Sequence, residues 1–172
     1  MPTQRPAAVP GAPMPVQRPV ATPGAPDVPA LTLAQAVGAT MFAADHASRV
    51  FMQMELLECA PGRARMRMAV RDELLNGHQI CHGGFIFTLA DSTFAFACNS
   101  HNKATVAAGC SIEFLRPARL GDVLTCTGEE QTLQGRHGIY DMRVENQHGE
   151  VVALFRGKSA QIAGTVLPAT DS

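Results

Sequence analysis

The chain has 172 residues, of which 17% are charged and 46% hydrophobic, and its formal net charge is −1. This length suits one domain with a substantial core, and a near-neutral chain without a basic run argues against nucleic acid as a partner. Five cysteines without a CxxC pair, and no signal-peptide core or membrane span, predict a cytoplasmic protein with free thiols and no membrane partner.

The N-terminal segment has the composition of a disordered region. Residues 1–30 hold nine of the twelve prolines, and a Gln-Arg-Pro…Pro-Gly-Ala-Pro pattern occurs in them twice. Sequence of this kind cannot build a packed core and samples polyproline II. We therefore predict a disordered Pro/Ala-rich extension over residues 1–30, a folded domain over residues 31–165 and a flexible C-terminus over residues 166–172. Docking of the extension to a partner is the alternative interpretation.

One helix and two strands are predicted before the centre of the chain. Apolar residues recur at helical spacing over residues 31–51, with Thr32 in position to cap the helix. Residues 51–59 have the composition of a strand. Residues 63–70 alternate between arginines and apolar side chains, which is typical of a half-buried antiparallel strand. We interpret the arginines as a solvated sheet face rather than a ligand patch.

The central segment contains a single charged residue. From Leu74 to Asn102 the only Asp, Glu, Lys or Arg is Asp91, and residues 85–98 are apolar or small on nearly every face. That pattern predicts a buried helix, too short at about 15 residues to span a bilayer. A carboxylate in such a helix must be paired, protonated or functional, because burying an unpaired charge is costly.

The start of this helix has the features of an anion site. Gly83 and Gly84 stand where a helix leaves its first N–H groups unpaired, so an oxyanion on a carbonyl would be stabilised there. Asp91 lies eight residues further on, a helical rise of about 12 Å. Catalytic groups must lie about 3 Å from the reacting atoms. If the two features cooperate, they therefore belong to different subunits.

Four strands are predicted after the helix, and they form an antiparallel meander. They cover residues 105–115, 123–131, 137–146 and 150–162. Two strands, a central helix and four more strands predict an α+β fold in which one sheet curves around the helix.

Three stretches carry a resemblance to a known family. They are Asn76-Gly-His-Gln-Ile-Cys-His-Gly-Gly with Leu89-Ala-Asp, Ile112-Glu-Phe-Leu-Arg-Pro, and Leu154-Phe-Arg-Gly-Lys-Ser. The sequence resembles the hotdog-fold acyl-CoA thioesterases, and within them the phenylacetic acid degradation (PaaI) type, over roughly residues 33–164. The resemblance implies a hotdog fold with a long central helix wrapped by an antiparallel sheet. It also implies dimers whose sheets join edge to edge, tetramers of two such dimers, and an active site at the dimer interface.

The resemblance also implies the catalytic residues. Asp91 matches the family's carboxylate, which acts as general base towards water or as nucleophile, and Gly83 matches the glycine whose N–H polarises the thioester carbonyl. Asn76 matches the amide that places water and substrate, and His82 matches the histidine that orients the carbonyl or the loop. Three of them also have a structural interpretation: Asp91 as a buried carboxylate, and His82 and Asn76 as residues that stabilise the turn. Related enzymes often place a hydroxyl on the following strand, where Ser111 is the nearest here.

The expected substrate is an acyl-CoA, with phenylacetyl or hydroxyphenylacetyl as the acyl group. Arg116, Arg156 and Lys158 are candidates to bind its phosphates, although ordinary surface charge is the simpler interpretation. No cofactor is expected. A metal site at His78, Cys81 and His82 is not expected either, because a structural zinc needs a fourth ligand.

Two other functions remain open at this point. One is hydration or dehydration of an acyl thioester, which the same fold supports with a His–carboxylate pair. The other is a non-enzymatic acyl-CoA-binding module.

Overall fold

The computed structural model describes residues 28–168. Residues 1–27 and 169–172 lie outside this part of the chain. Residues 1–27 of the predicted disordered extension and most of the predicted flexible C-terminus therefore lie outside the described residues and stay predictions. The boundary at residue 30 is wrong, because residues 28–30 are already helical.

A six-stranded antiparallel sheet forms the main body of the structure. Its strand order is β1-β2-β4-β5-β6-β3, so that β1 and β3 are the two edges. The strands are β1 (Glu55–Ala60), β2 (Arg63–Ala69), β3 (Thr105–Phe114), β4 (Val123–Gln134), β5 (His137–Glu145) and β6 (Val151–Gln161). The helices are α1 (Val28–Ala44), a π-helix (Ala47–Phe51), a short 3-10 helix (Asp72–Leu74) and α2 (Gly83–Asn99). The predicted α+β class is confirmed, and the four strand positions after α2 agree to within about three residues.

The segment before β1 differs from its prediction. Helix α1 begins at Val28, so Thr32 lies inside the helix and is not its N-cap. The predicted helix is interrupted after Ala44 and its last part is the separate π-helix. The next strand begins later than expected, because Gln53 has a φ of 51° and this left-handed residue ends the helical path.

The core lies between the concave face of the sheet and α2. On β2 the predicted alternation is confirmed: Ala64, Met66 and Met68 are buried. The intervening arginines lie on the outer face of the sheet, where they pair with carboxylates, for example Arg67 with Glu55 at 2.7 Å. The arginines therefore form the solvated face that their spacing predicts.

Aromatic side chains join α2 to the strands on its other side. The ring of Phe94 lies 5.5 Å from that of Tyr140 and 5.9 Å from that of Phe155, measured between centroids. These contacts fix α2 along the sheet, and with it the positions of Gly83 and Asp91.

Helix α2 is not buried on every side, and this part of the prediction is wrong. Gly84, Thr88, Asp91 and Ala95 follow one another at spacings of four, three and four residues and are exposed or half-buried. We call these four residues the open stripe. The sheet and α1 cover the other sides of the helix, but no described element of the same chain covers this one. Within residues 28–168 no helix is long and apolar enough to cross a membrane.

Candidate active site

His82 caps the start of α2 and determines which amides are free. Its φ and ψ are −62° and 131°, and its Nδ1 accepts the N–H of Gly84 at 2.9 Å. The N–H of Phe85 donates to the carbonyl of His82 at 2.9 Å. The N–H of Gly83 has no acceptor among the described residues. Of the first three amides of the helix, Gly83 therefore has the one available to a ligand.

The cap occupies one ring nitrogen of His82 and leaves the other without a partner among the described residues. Nδ1 accepts the hydrogen bond of the cap, so Nε2 is the ring nitrogen that can donate to a ligand. His82 is exposed. The side chain thus has a structural role and a free donor at the same time.

The ring of Phe114 lies against Gly83. A Cβ added to Gly83 would lie 3.1 Å from Cζ of Phe114, whose side chain is 52% exposed. Phe114 is the last residue of β3, an edge strand. The start of α2 therefore lies beside an edge of the sheet that has no partner strand within the described chain.

The loop before His82 is held in place by an Asx turn. Oδ1 of Asn76 accepts the N–H of His78 at 2.8 Å, and the N–H of Asn76 donates to the carbonyl of Ile80 at 2.8 Å. The N–H of Cys81 donates to the carbonyl of Ala118 at 2.8 Å. The Oδ1 atom of Asn76 therefore stabilises the turn, as the structural interpretation of this residue predicts. Its Nδ2 group has no partner in the described part of the chain and remains a donor.

Asp91 is an unpaired carboxylate on the open stripe. It is half-buried and makes no hydrogen bond or ion pair with any of residues 28–168. Burial raises the pKa of Asp91 above its ordinary value. A carboxylate with a raised pKa and free lone pairs is suited to accept a proton from water.

The structure brings three of the four predicted catalytic residues together and leaves the fourth apart. His82 and Gly83 lie at the start of α2 and Asn76 in the loop that leads into it, hydrogen-bonded to Ile80, whereas Asp91 lies eight residues after Gly83 on the same helix. Their separation along the axis is about 12 Å. If these groups act on one substrate, a single chain cannot bring them to the same reacting atoms.

Two of the predicted phosphate-binding residues lie on the outer face of the sheet. Arg156 on β6 forms a bidentate salt bridge with Asp141 on β5, and both N–O distances are 2.6 Å. Lys158 is exposed on the same side of β6 as Arg156. Both cations are therefore on the side of the sheet opposite to α2.

The third cation, Arg116, lies just after the end of β3. It follows Phe114 by two residues and its guanidinium lies 3.2 Å from a carboxylate oxygen of Glu150. Ser111 is exposed on β3. Among the described residues no group of three or more His, Cys, Asp or Glu side chains could hold a metal ion.

Sequence reasoning missed two features. One is Phe114, whose contact with Gly83 depends on how β3 crosses the helix start. The other is a hydrogen-bonded chain from Asp45 through Ser48 to Ser92, which ties the π-helix to α2. These serines are 44 positions apart, and no local pattern in the sequence marks them.

The sequence was compared with known proteins. Residues 78–153 match the Thioesterase superfamily. The chain is 47% identical over 113 residues to the acyl-coenzyme A thioesterase PaaI of Escherichia coli (strain K12), covering 66% of this chain and 81% of that protein. The chain belongs to the thioesterase superfamily.

Solved structures support the same assignment. The E. coli PaaI protein from the phenylacetic acid degradation operon superposes with a TM-score of 0.76 at 42% identity, covering 78% of this chain and 97% of that one. The smu.793 protein of Streptococcus mutans UA159, bound to acetyl CoA, superposes with a TM-score of 0.65 at 28% identity, covering 70% and 97%. The predicted hotdog thioesterase fold and enzyme class are confirmed.

Proposed function

We propose that this thioesterase hydrolyses acyl-CoA thioesters to the free acid and CoA, with phenylacetyl or hydroxyphenylacetyl as the acyl group. The supporting observation is the pair of unsatisfied groups on α2, the N–H of Gly83 and the carboxylate of Asp91. Similarity to an acyl-CoA thioesterase and to a protein bound to acetyl CoA supports the substrate class.

In the proposed reaction the thioester carbonyl oxygen accepts the N–H of Gly83. The positive end of the α2 dipole stabilises the negative charge that develops on this oxygen. Asp91 of the partner subunit takes a proton from water, and the resulting hydroxide attacks the carbonyl carbon. The tetrahedral intermediate then collapses, the C–S bond breaks and CoA leaves as the thiolate. Direct attack by the carboxylate to form an anhydride is the competing route.

The same proposal assigns roles to the other residues near the helix start. The free Nδ2 group of Asn76 donates to water or substrate, and the Nε2–H of His82 orients the carbonyl. Arg116 is the cation proposed for the CoA phosphates, because it follows Phe114, whose ring contacts Gly83, by two residues. Phosphate binding by Arg156 and Lys158 stays a prediction. This chemistry requires no resident metal or cofactor.

The two halves of the site are completed by a second subunit in this proposal. Strand β3 is an edge of ten residues, its side chains are mostly exposed, and it is uncharged until Glu113. Such an edge is a template for pairing with another strand. Pairing of β3 with its copy joins two sheets, and two such dimers form the proposed tetramer. The open stripe then faces the partner subunit.

Asp91→Asn tests the assignment of the base. We expect turnover to fall by about 10²–10⁴-fold, because the amide cannot accept the proton of water. Release of CoA is followed with a thiol-reactive dye, and Cys110, the exposed cysteine of the described residues, is replaced by serine to remove background. Asp72→Asn, at an exposed aspartate outside the proposed site, is the matched control. Full hydrolysis by Asp91→Asn would exclude Asp91 as the base.

Mixing two inactive variants tests the shared site. Asp91→Asn and Gly83→Pro damage opposite halves, so a mixed dimer contains one site with both changes and one intact site. Random subunit exchange should therefore restore about a quarter of wild-type activity from two inactive proteins. A mixture as inactive as its components, when exchange is demonstrated, would place both groups in one chain.

A hydratase activity would need a His–carboxylate pair, and the structure contains one. His101 Nε2 lies 2.9 Å from Oε2 of Glu130, which also accepts the hydroxyl of Tyr140 at 2.7 Å. This pair follows the end of α2 and is thus at the other end of the helix from Gly83. We expect no loss of conjugated absorbance when the protein is incubated with an enoyl-CoA, together with CoA release from a saturated acyl-CoA.

A further inference from the structure

The π-helix Ala47–Phe51 presents two large apolar side chains to solvent. Val50 is 54% exposed and Phe51 is 65% exposed. Adjacent exposed apolar side chains mark binding surfaces, and π-helical turns occur frequently at functional sites. The segment is therefore a candidate ligand surface.

Buried polar bonds tie the first half of the π-helix to α2. Asp45 accepts the N–H of Ser48 through Oδ1 at 2.9 Å and its hydroxyl through Oδ2 at 2.7 Å. The Oγ atoms of Ser48 and Ser92 are 2.9 Å apart. The single hydroxyl proton of Ser48 goes to the carboxylate, so Ser92 must donate to Ser48. Because Ser48 is 1% exposed, these bonds hold the π-helix against α2 from the inside.

Arg71 holds the other end of the π-helix. Its guanidinium donates to the carbonyls of Met52 at 2.9 Å and Phe51 at 3.1 Å. The side chains of Met52 and Met54 are buried in the core. Anchors on both sides keep Val50 and Phe51 in a fixed position despite their exposure to solvent.

The anchors place these two residues close to the proposed base. Ser92 is the residue after Asp91 on α2, and Phe51 follows Ser48, which contacts Ser92, by three residues, so the Cα atoms of Ser48 and Phe51 are at most about 11 Å apart. We propose that Val50 and Phe51 form an apolar wall that contacts the acyl group of the thioester bound at Asp91. The proposal rests on the proposed function and deepens it. It assigns to these side chains the preference for bulky apolar acyl groups over acetyl.

The test compares acyl groups that reach the wall with one that is too short. The assay measures kcat/KM of the wild-type protein and of Phe51→Ala with three substrates: phenylacetyl-CoA, hexanoyl-CoA and acetyl-CoA. We expect the ratio of kcat/KM for phenylacetyl-CoA to that for acetyl-CoA to fall about 10–50-fold, because a lost apolar contact changes discrimination by this order. Ile162→Ala is the control, since Ile162 is 50% exposed at the end of β6 and lies beyond the far end of α2.

A binding measurement separates an effect of Phe51 on substrate affinity from an effect on the catalytic step. In the Asp91→Asn background, calorimetric titration should show that Phe51→Ala weakens phenylacetyl-CoA about 10-fold or more and leaves free CoA unchanged. Light scattering is run on each variant to measure its mass.

Three results would overturn the proposal. The first is an unchanged ratio, or an equal loss for all three substrates. The second is a change of assembly mass in Phe51→Ala, which would make the surface a contact between copies of the chain. In both cases wild-type hydrolysis, and with it the proposed function, stands. The third is a wild-type protein that releases no CoA from any of the three, which refutes the proposed function and the wall together.

Discussion

Removing the amide proton of Gly83 is the sharpest test of the proposed oxyanion site. Gly83 is the first residue of α2, the helical position at which proline is most readily accommodated. His82 has a ψ of 131°, which is the extended conformation required before proline. Gly83→Pro therefore deletes one N–H with little local distortion. Gly83→Ala retains the N–H and adds a Cβ at the same place, so it is the matched control.

The structure determines the size of the expected effect. Since the N–H of Gly83 has no acceptor among the described residues, the proline breaks no backbone hydrogen bond there. Both substitutions bring a Cβ to 3.1 Å from Cζ of Phe114, a half-exposed ring that can shift by a few tenths of an ångström. Loss of an oxyanion donor typically costs about 10²–10³ in kcat, or about 2.7–4 kcal/mol. We expect that loss for proline, and less than about a tenfold change for alanine.

The assay is steady-state CoA release from phenylacetyl-CoA, with thermal unfolding of each variant measured in parallel. The Gly83 amide is not the oxyanion donor if the proline variant keeps near-wild-type kcat, or if alanine and proline reduce kcat equally. Equal losses with unchanged unfolding temperatures would show that the contact with Phe114, and not the amide proton, limits the reaction.

Charged groups and their hydrogen bonds should affect stability and activity in four further ways. Because burial raises the pKa of Asp91, the ionised carboxylate destabilises the fold at neutral pH. Asp91→Asn should therefore unfold at an equal or higher temperature than wild type at neutral pH. This difference should disappear when the pH is below the ordinary pKa range of aspartate. For the same reason, the acid limb of the plot of kcat against pH should lie above the ordinary pKa range of aspartate. Tyr140→Phe should lower the free energy of unfolding in urea by about 1.5–3 kcal/mol, because a buried hydroxyl then no longer donates to the carboxylate of Glu130. Among alanine substitutions of the cations predicted to bind phosphate, Arg116→Ala should raise KM most, by about 10-fold. A larger rise of KM in Arg156→Ala would indicate that the phosphates bind on the outer face of the sheet.

The hydrogen bonds that Glu130 accepts make the stability of the fold depend on pH in the opposite direction. Hydrogen bonds from His101 and Tyr140 lower the pKa of Glu130 below its ordinary value, although burial opposes them. This stabilisation is present above the ordinary pKa of glutamate and is lost as the pH falls through the lowered pKa. In Tyr140→Phe the loss should begin at a higher pH than in wild type, which urea unfolding at a series of pH values measures.

The sequence predicted those parts of the fold that repeat at short range. The alternation over β2 identified Met66 and Met68 as core residues, because side chains on a strand point to opposite faces in turn. The glycines before an apolar run identified the start of α2 for a similar reason, since the first N–H groups of any helix lack partners within it. The interruption of the first helix after Ala44 was not predicted; beyond it Ser48 contacts Ser92 of α2, and no local pattern marks a contact between residues 44 positions apart.

The sequence by itself determined the family motif, the strand pattern and the distance between Gly83 and Asp91, since helix geometry converts eight positions into about 12 Å. Only the tertiary structure decided which amide of the helix start is free, which side of α2 lies open and which side of the sheet carries each cation. Those properties depend on residues far apart in the chain, such as Phe114 against Gly83 and Arg156 against Asp141. Periodicity assigns a residue to a face of its own element, but packing decides what covers that face.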